Sequence, residues 1–355
     1  MIRYWILAAI IGALTTGAGA DNGILYSAEN RQLPVGARLS ALGDAGAALS
    51  LGTHALYYNP ASLSFLSKYE CWIEGALLYA GLSKHAAIAG GAPVQQDLAI
   101  GLLVSPYFSG GIPVFDTLPG TYADRLSDPA MRSDGKAEGV FTNDQYVSLL
   151  SIARKFTFDL PRPSGIGGLP LPLDIGLGCN ISVLAQTMDP KGTLHMGMNI
   201  NCDAGVIVRI GVDYDMARKE VCRQFCLGVG VLNVLPTAYM WLHSPYQYEE
   251  SVYNAQYYGI SYADKTGFLH ADWMAALDLH RAKGEAAGAN AEWVETLHAG
   301  LEARFWKMVS IRCGISERTP TLGAGFEWRN FFIDYAFRFD AVEFSPVRIA
   351  VGASF

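Results

Sequence analysis

Charge is scarce in this sequence. Only 17% of the 355 residues are Asp, Glu, Lys or Arg, against about 25% in ordinary soluble domains. The formal net charge is −7, and no basic stripe runs through the chain, which argues against nucleic acid as a partner. Long hydrophobic runs are also few. Residues 98–115 carry no charge, but Pro106, Gly110, Gly111 and Pro113 break them. Residues 224–248 are uncharged too, and a single membrane helix there stays open as an alternative. Asn233 and Pro236 interrupt that run, and the Gly228-Val229-Gly230-Val231 stretch favours strand over helix. Since 51% of the residues are hydrophobic, apolarity must be spread in short pieces, as in a transmembrane β-barrel. Enzyme motifs are missing as well: there is no GxSxG, HExxH, Walker A or GxGxxG after a strand. The chain therefore reads as a non-enzyme with no cofactor.

What is present begins with an export signal over residues 1–20. Arg3 supplies the positive start, Trp5 to Leu14 an apolar stretch, and Ala18-Gly19-Ala20 a small-residue cleavage site. That stretch is half of the roughly 20 residues a membrane helix needs, so the mature chain is expected to start at Asp21. Six cysteines could form disulfides in an exported protein. However, Cys179, Cys202 and Cys313 fall on apolar faces as small hydrophobes. Cys222 and Cys226 have no partner pair, so no metal site is expected.

The C-terminal third alternates with period 2. Leu297, Leu301 and Phe305 oppose His298, Glu302 and Arg304. Val309, Ile311 and Cys313 oppose Ser310, Arg312 and Gly314. Leu322, Phe326 and Trp328 then oppose Gly323, Gly325 and Glu327. Phe331, Ile333 and Tyr335 oppose Phe332, Asp334 and Ala336, and Val347 to Phe355 alternates in the same way. Period 2 puts one set of side chains on each face of a strand. Segments of nine to eleven residues match a bilayer crossing at a barrel's tilt. The same alternation recurs over residues 173–185 and 273–280, which puts His280 as well as His298 on the polar side, with no nucleophile marked beside either. About thirteen strands can be counted from Tyr69 onward. A barrel whose two ends return to one side needs an even number, so one is expected to hide between Gly110 and Thr142 or within Gly197 to Asp213. Two long connections, residues 110–142 and 236–267, suggest function. The second is rich in aromatics, including Tyr239, Trp241, Tyr246 and Tyr248. They are candidate extracellular contacts for an amphiphile, or members of an interfacial aromatic belt.

Between Asp21 and Lys68 the pattern changes. Gly36-Ala37-Arg38 precedes Leu42-Gly43-Asp44-Ala45-Gly46-Ala47-Ala48, and Ala55-Leu56-Tyr57-Tyr58-Asn59-Pro60-Ala61-Ser62-Leu63 follows. Asn59 can cap a helix that Pro60 starts, and the small residues suit tight packing inside a lumen. This run resembles the N-terminal signature of the FadL-like outer-membrane transporters and of the related PorV/PorQ-type barrels, with its "GAR…LG.GGAG.A" and "ALYYNPA.L" stretches. Asn59, Pro60 and Ala61 match. Asp44 stands where the family has Gly, and Ser62 replaces another small Gly. The closing strands are similar too, and the terminal Phe355 looks like the recognition signal read by the barrel assembly machinery.

The resemblance implies an all-β antiparallel transmembrane barrel of about 14 strands over residues 69–355. Residues 21–68 would fold inside it as a hatch, whose motif is Gly43, Asp44, Tyr57, Tyr58, Asn59, Pro60 and Ala61. It implies outer-membrane transport of long-chain fatty acids or other hydrophobic small molecules. The alternative is a PorV-type scaffold or shuttle for surface and secreted proteins. By alternation, Arg304, Arg312, Arg329, Arg338, Arg348, Trp306 and Phe332 are candidate lumen-facing residues. The arginines serve either a ligand head group or a charge network with Glu302, Glu327 and Asp334.

Overall fold

A computed structural model describes residues 31, 33–115, 118–132, 135–160, 171–189, 194–215, 220–235, 237–242, 251–284, 292–339 and 346–355. The proposed signal, Tyr246 and Tyr248 lie outside these residues. Seven strands come first: β1 Glu70–Leu78, β2 Ser83–Gln95, β3 Leu98–Val114, β4 Gly139–Leu160, β5 Leu171–Met188, β6 His195–Asp215 and β7 Glu220–Leu232. Three short ones follow: β8 Thr237–Ala238, β9 Met240–Leu242 and β10 Ser251–Val252. Seven more complete the set: β11 Ala255–Asp264, β12 Ala271–Gly284, β13 Glu292–Phe305, β14 Val309–Ser316, β15 Thr319–Trp328, β16 Phe331–Arg338 and β17 Val347–Ser354. Strands β1–β7 and β11–β17 pair antiparallel into a closed ring of fourteen, and β9 adds to β6 as an extra strand. The seam is β1 against β17, where Tyr69 and Phe355 exchange backbone hydrogen bonds of 3.1 and 2.8 Å. Closure leaves no edge in the ring, which is what lipid demands of a sheet.

The alternating pattern decides which face is which. Ile311, Leu322, Phe326, Ile333, Ile349 and Val351 point outward and are exposed, while Glu302, Arg312, Asp334 and Arg348 point inward and are buried. That is an inverted soluble protein, the arrangement of a barrel set in lipid. No described helix is long and apolar enough to cross a membrane. The uncharged run after Gln224 enters β7 instead, where outward Phe225, Leu227 and Val229 alternate with inward Cys226, Gly228 and Gly230. None of the six cysteines is joined to another by a disulfide among the described residues.

Two expectations about strand count need correction. Residues 197–213 lie inside β6. A further strand, β11, occupies part of the stretch read as one tyrosine-rich loop. Tyr257, Tyr258 and Tyr262 belong to that strand; β-branched and aromatic residues favour strands. The connection after β3 spans residues 115–138 and carries a short helix, α2 (Tyr122–Ser127). Thr121 and Asp124 form a reciprocal capping box there. Hydrogen bonds from the Thr121 backbone and hydroxyl hold the Asp124 carboxyl below the usual carboxylate range.

Residues 33–66 run inside the ring. They contain helix α1 (Ala37–Ala41) and two 3-10 turns, Gly52–His54 and Pro60–Phe65. Leu39, Leu42, Leu56 and Leu63 have no exposed surface. The segment makes no strand pairing with the wall. It lies in rows of inward glycines that run across neighbouring strands. Gly178, Gly205 and Gly230 are register partners on β5, β6 and β7, and a Cβ at each would strike Pro60, Asn59 and Tyr58 respectively. A second row, Gly228 and Gly259, meets Ala47 and Ala48; a third, Gly300 and Gly314, meets Leu42 and Gly43. Glycine inside a strand costs roughly 0.5–1 kcal/mol relative to alanine. Here the cost is offset by backbone packed directly on backbone.

Candidate functional site

The seat of the segment centres on Asn59, which has no exposed surface. Its carbonyl oxygen accepts the Ala61 N–H at 3.0 Å and so caps the turn begun by Pro60. Its amide donates to Ala47 O at 2.7 Å, and to Val206 O and Val229 O on β6 and β7 at 3.2 and 3.3 Å. One side chain thus ties the turn to an earlier part of the segment and to two strands. Asp278 on β12 accepts the Ala47 N–H at 2.7 Å, and Ser261 on β11 donates to Ala48 O at 2.9 Å.

The glycine rows continue into polar and aromatic rows. Gly230 pairs with Tyr257, Tyr257 with His280, and His280 with Thr296. The Tyr257 and His280 rings stack at 4.1 Å, and those of His280 and His298 at 3.8 Å. With Tyr58, Asp44, Ser316 and Arg338 they line a cavity of about 270 Å³ at the long-loop end of the barrel. His298 Nδ1 lies 2.8 Å from Gly43 O. A carbonyl can only accept, so Nδ1 carries the proton and Nε2 accepts from Thr296 Oγ1 at 2.9 Å. Asp44 adopts a left-handed φ of 65°, which Asp tolerates better than most residues. Its carboxylate accepts from Tyr58 (3.2 Å) and Ser316 (2.7 Å).

At the other end the lumen is closed by charge. Arg38 on α1 binds Glu302 through two bonds of 3.0 and 2.7 Å. Arg312 reaches Glu302 and Asp334, both at 2.5 Å. Two cations and two anions thus balance, the condition under which burying charge is tolerable. Arg304 pairs with Glu327 beside them. Higher up, Arg31 holds Asp203 at 2.7 Å and lies 4.2 Å over the Tyr57 ring.

Gly43, Asp44, Tyr57, Tyr58, Asn59, Pro60 and Ala61, the residues expected as a hatch motif, lie in the lumen and are buried. Of the expected lumen-facing residues, Arg304, Arg312 and Arg348 are placed in its charge networks, Arg338 at the cavity, and Phe332 beside the His54 ring at 5.0 Å. Trp306 and Arg329 need correction. Both stand in tight turns with left-handed φ of 51° and 56°, and both are exposed. Trp306 follows the end of β13 and Arg329 the end of β15, so alternation carried one residue too far assigned them a face they do not have. Tyr239 and Trp241 turn inward: Tyr239 is buried, and Trp241 packs over Gly197 of β6. Met240 and Leu242 take the outward positions of that ribbon.

The sequence reading missed His280 and His298 as a stack, because registers between strands are not visible in one strand's pattern. It also missed Ser105, which lies 2.7 Å from His85 Nε2 in the lumen. That pair looks like a nucleophile and its base. However, Arg348 Nη1 lies 2.8 Å from His85 Nδ1, and a guanidinium can only donate. Nδ1 therefore accepts, the proton sits on Nε2, and His85 donates to Ser105 rather than taking its proton.

Fold and site together define a fourteen-stranded membrane β-barrel with its own N-terminal segment in the lumen. No family model and no curated protein matches the chain. Among solved structures it is similar to the TodX deltaS2S3 mutant monoaromatic hydrocarbon channel, with a TM-score of 0.46 and 12% identity over 90% of this chain and 98% of that one. It is also similar to the Pseudomonas putida toluene transporter TodX (TM-score 0.45, 10% identity, 90% and 97% covered). A third is a Pseudomonas aeruginosa FadL homologue (TM-score 0.45, 9% identity, 94% and 99% covered).

Proposed function

We propose that this chain is an outer-membrane channel for hydrophobic small molecules, with residues 21–68 as its hatch and residues 69–355 as its barrel. The observation that carries this reading is how the lumen is filled. The segment is held by packing on glycines, by side-chain hydrogen bonds such as those of Asn59, Asp278 and Ser261, and by the ion pairs Arg31–Asp203 and Arg38–Glu302, with no strand pairing to the wall. None of these contacts belongs to the backbone ladder that closes the ring, so the segment can shift while the ring stays closed. An aqueous diffusion pore has no use for such a filling. Above the segment, the aromatic cavity supplies a place for a ligand to wait. In this reading residues 1–20 direct export, the long loops face outward, and Phe355 is the signal for the assembly machinery.

A second reading, a scaffold for surface or secreted proteins, has one observation in its favour. The ordered loop after β3 displays Leu118, Tyr122 and Leu126 to solvent.

Native mass spectrometry of the folded mature barrel, followed by titration with labelled hydrophobic compounds, tests the proposal. A co-purifying small molecule and saturable binding support the channel. Absence of both, from a barrel proven folded by heat-modifiable migration, contradicts it and directs the search to protein partners.

A further inference from the structure

The cavity beside the segment has a chemistry more specific than hydrophobicity. Its flat elements are the Tyr257, His280 and His298 rings stacked at about 4 Å, with Tyr58 tilted against Tyr257 and His280. A cluster of rings favours a further planar ring, packed edge-to-face or offset. Its volume of about 270 Å³ exceeds the roughly 150 Å³ that admits a benzene ring. It falls below the range of about 300–1,000 Å³ common for drug-sized sites.

The polar groups in the wall include acceptors for a donor group. Asp44 is buried and presents a carboxylate. It takes up two hydroxyl donors, Tyr58 and Ser316, and two carboxylate oxygens have about four acceptor positions. The Asp278 carboxylate lies 3.5 Å from His280 Nε2, and a neutral imidazole keeps one acceptor nitrogen. Glu317 adds another carboxylate to the lining. The wall carries two carboxylates, Asp44 and Glu317, against one cation, Arg338. A carboxylate head group would therefore meet a wall of net negative charge.

Resting on the channel reading above, we infer that this cavity takes a small planar aromatic compound bearing a hydrogen-bond donor, such as a phenol or an aniline, and rejects carboxylates. The ring lies along the Tyr257–His280–His298 stack, and the hydroxyl or amino group donates to the acceptors of the wall. Asp44 is the residue that sets this preference. A glycine at that position would leave the wall without its buried carboxylate.

The test is a calorimetric titration of the folded mature barrel in detergent with p-cresol, toluene and palmitate. A hydrogen bond to a charged group is worth about 1.5–3 kcal/mol, so p-cresol should bind at least about tenfold more tightly than toluene. Palmitate should not displace it. Asp44→Asn should cut the advantage of p-cresol over toluene to within about threefold while toluene binding persists. Should that variant not fold, His280→Phe keeps a ring in the stack, removes its ring nitrogens, and should lower p-cresol affinity alone. Equal binding of toluene and p-cresol, displacement by palmitate, or an unchanged preference in both variants overturns the inference and leaves the channel reading standing. If none of the three probes binds, both fall.

Discussion

A methyl group at position 205 separates the stability of the wall from the seating of the segment. In Gly205→Ala the added carbon would land on the Asn59 carbonyl oxygen and 2.9 Å from Pro60 Cδ, closer than the roughly 3.5–4.0 Å of ordinary carbon contacts. Overpacking of this kind costs about 1–3 kcal/mol. For the strand itself the change is mildly favourable, by roughly 0.5–1 kcal/mol, because glycine is the poorer strand residue. The two effects act on different parts of the molecule. A 2 kcal/mol loss in seating would raise the unseated fraction about 30-fold. Limited proteolysis should therefore cut the segment faster in the variant, while heat-modifiable migration shows the barrel at least as stable as before. Gly75→Ala is the control, since a Cβ there meets nothing within 4 Å, and it should leave the protection of the segment unchanged. Unchanged protection of the segment in Gly205→Ala, or unfolding of the barrel along with it, would refute the reasoning.

Other outcomes follow from the same contacts. Asn59→Ala removes a cap worth about 1 kcal/mol and the three donor contacts to Ala47, Val206 and Val229; faster exchange of the amides at Ala61 and Ala47 should reveal it. Arg312→Leu leaves Asp334 without this partner and Glu302 with Arg38 alone; breaking a buried pair costs about 3–5 kcal/mol, so the unfolding temperature of the barrel should fall, and pairing the change with Asp334→Leu should restore part of it. In the loop after β3, the Asp124 carboxyl is held low by its bonds from Thr121. Its folded value lies below its unfolded one, so the cap is fully present above the ordinary Asp value of about 3.9 and is lost as pH falls through the lower folded value. Exchange protection of the Thr121 amide, which donates to that carboxyl, should persist at mild acidity and vanish only in stronger acid.

Much of the barrel was legible because one physical fact is repeated in every strand. With lipid outside and polar groups inside, residues such as Ile311, Arg312 and Cys313 declare their faces by parity alone. The turns were harder, since parity does not announce its own end, and so Trp306 and Arg329 were assigned to the lumen. The loop reading of β11 failed because its tyrosines serve either an interface or a loop, and composition does not choose between them. The seat of the segment was half visible. Inward glycines at 178, 205, 228, 230, 259, 300 and 314 stood in the sequence as a polar-face oddity. Only the register that aligns them across strands shows that they form rows and that Asn59, Pro60 and Ala47 lie in those rows. The same holds for the cavity: Tyr257, His280 and His298 sit on three strands far apart in sequence, and only their pairing stacks them.

The central claim is that hydrophobic molecules cross the outer membrane through this barrel. It is met most directly by measuring uptake of radiolabelled p-cresol, toluene and palmitate by host cells that carry the folded protein in the outer membrane, against cells that lack it and with maltose as the hydrophilic control. The account predicts that the protein raises uptake of at least one hydrophobic compound several-fold and leaves maltose unchanged. Equal uptake of every hydrophobic compound with and without the protein would contradict it.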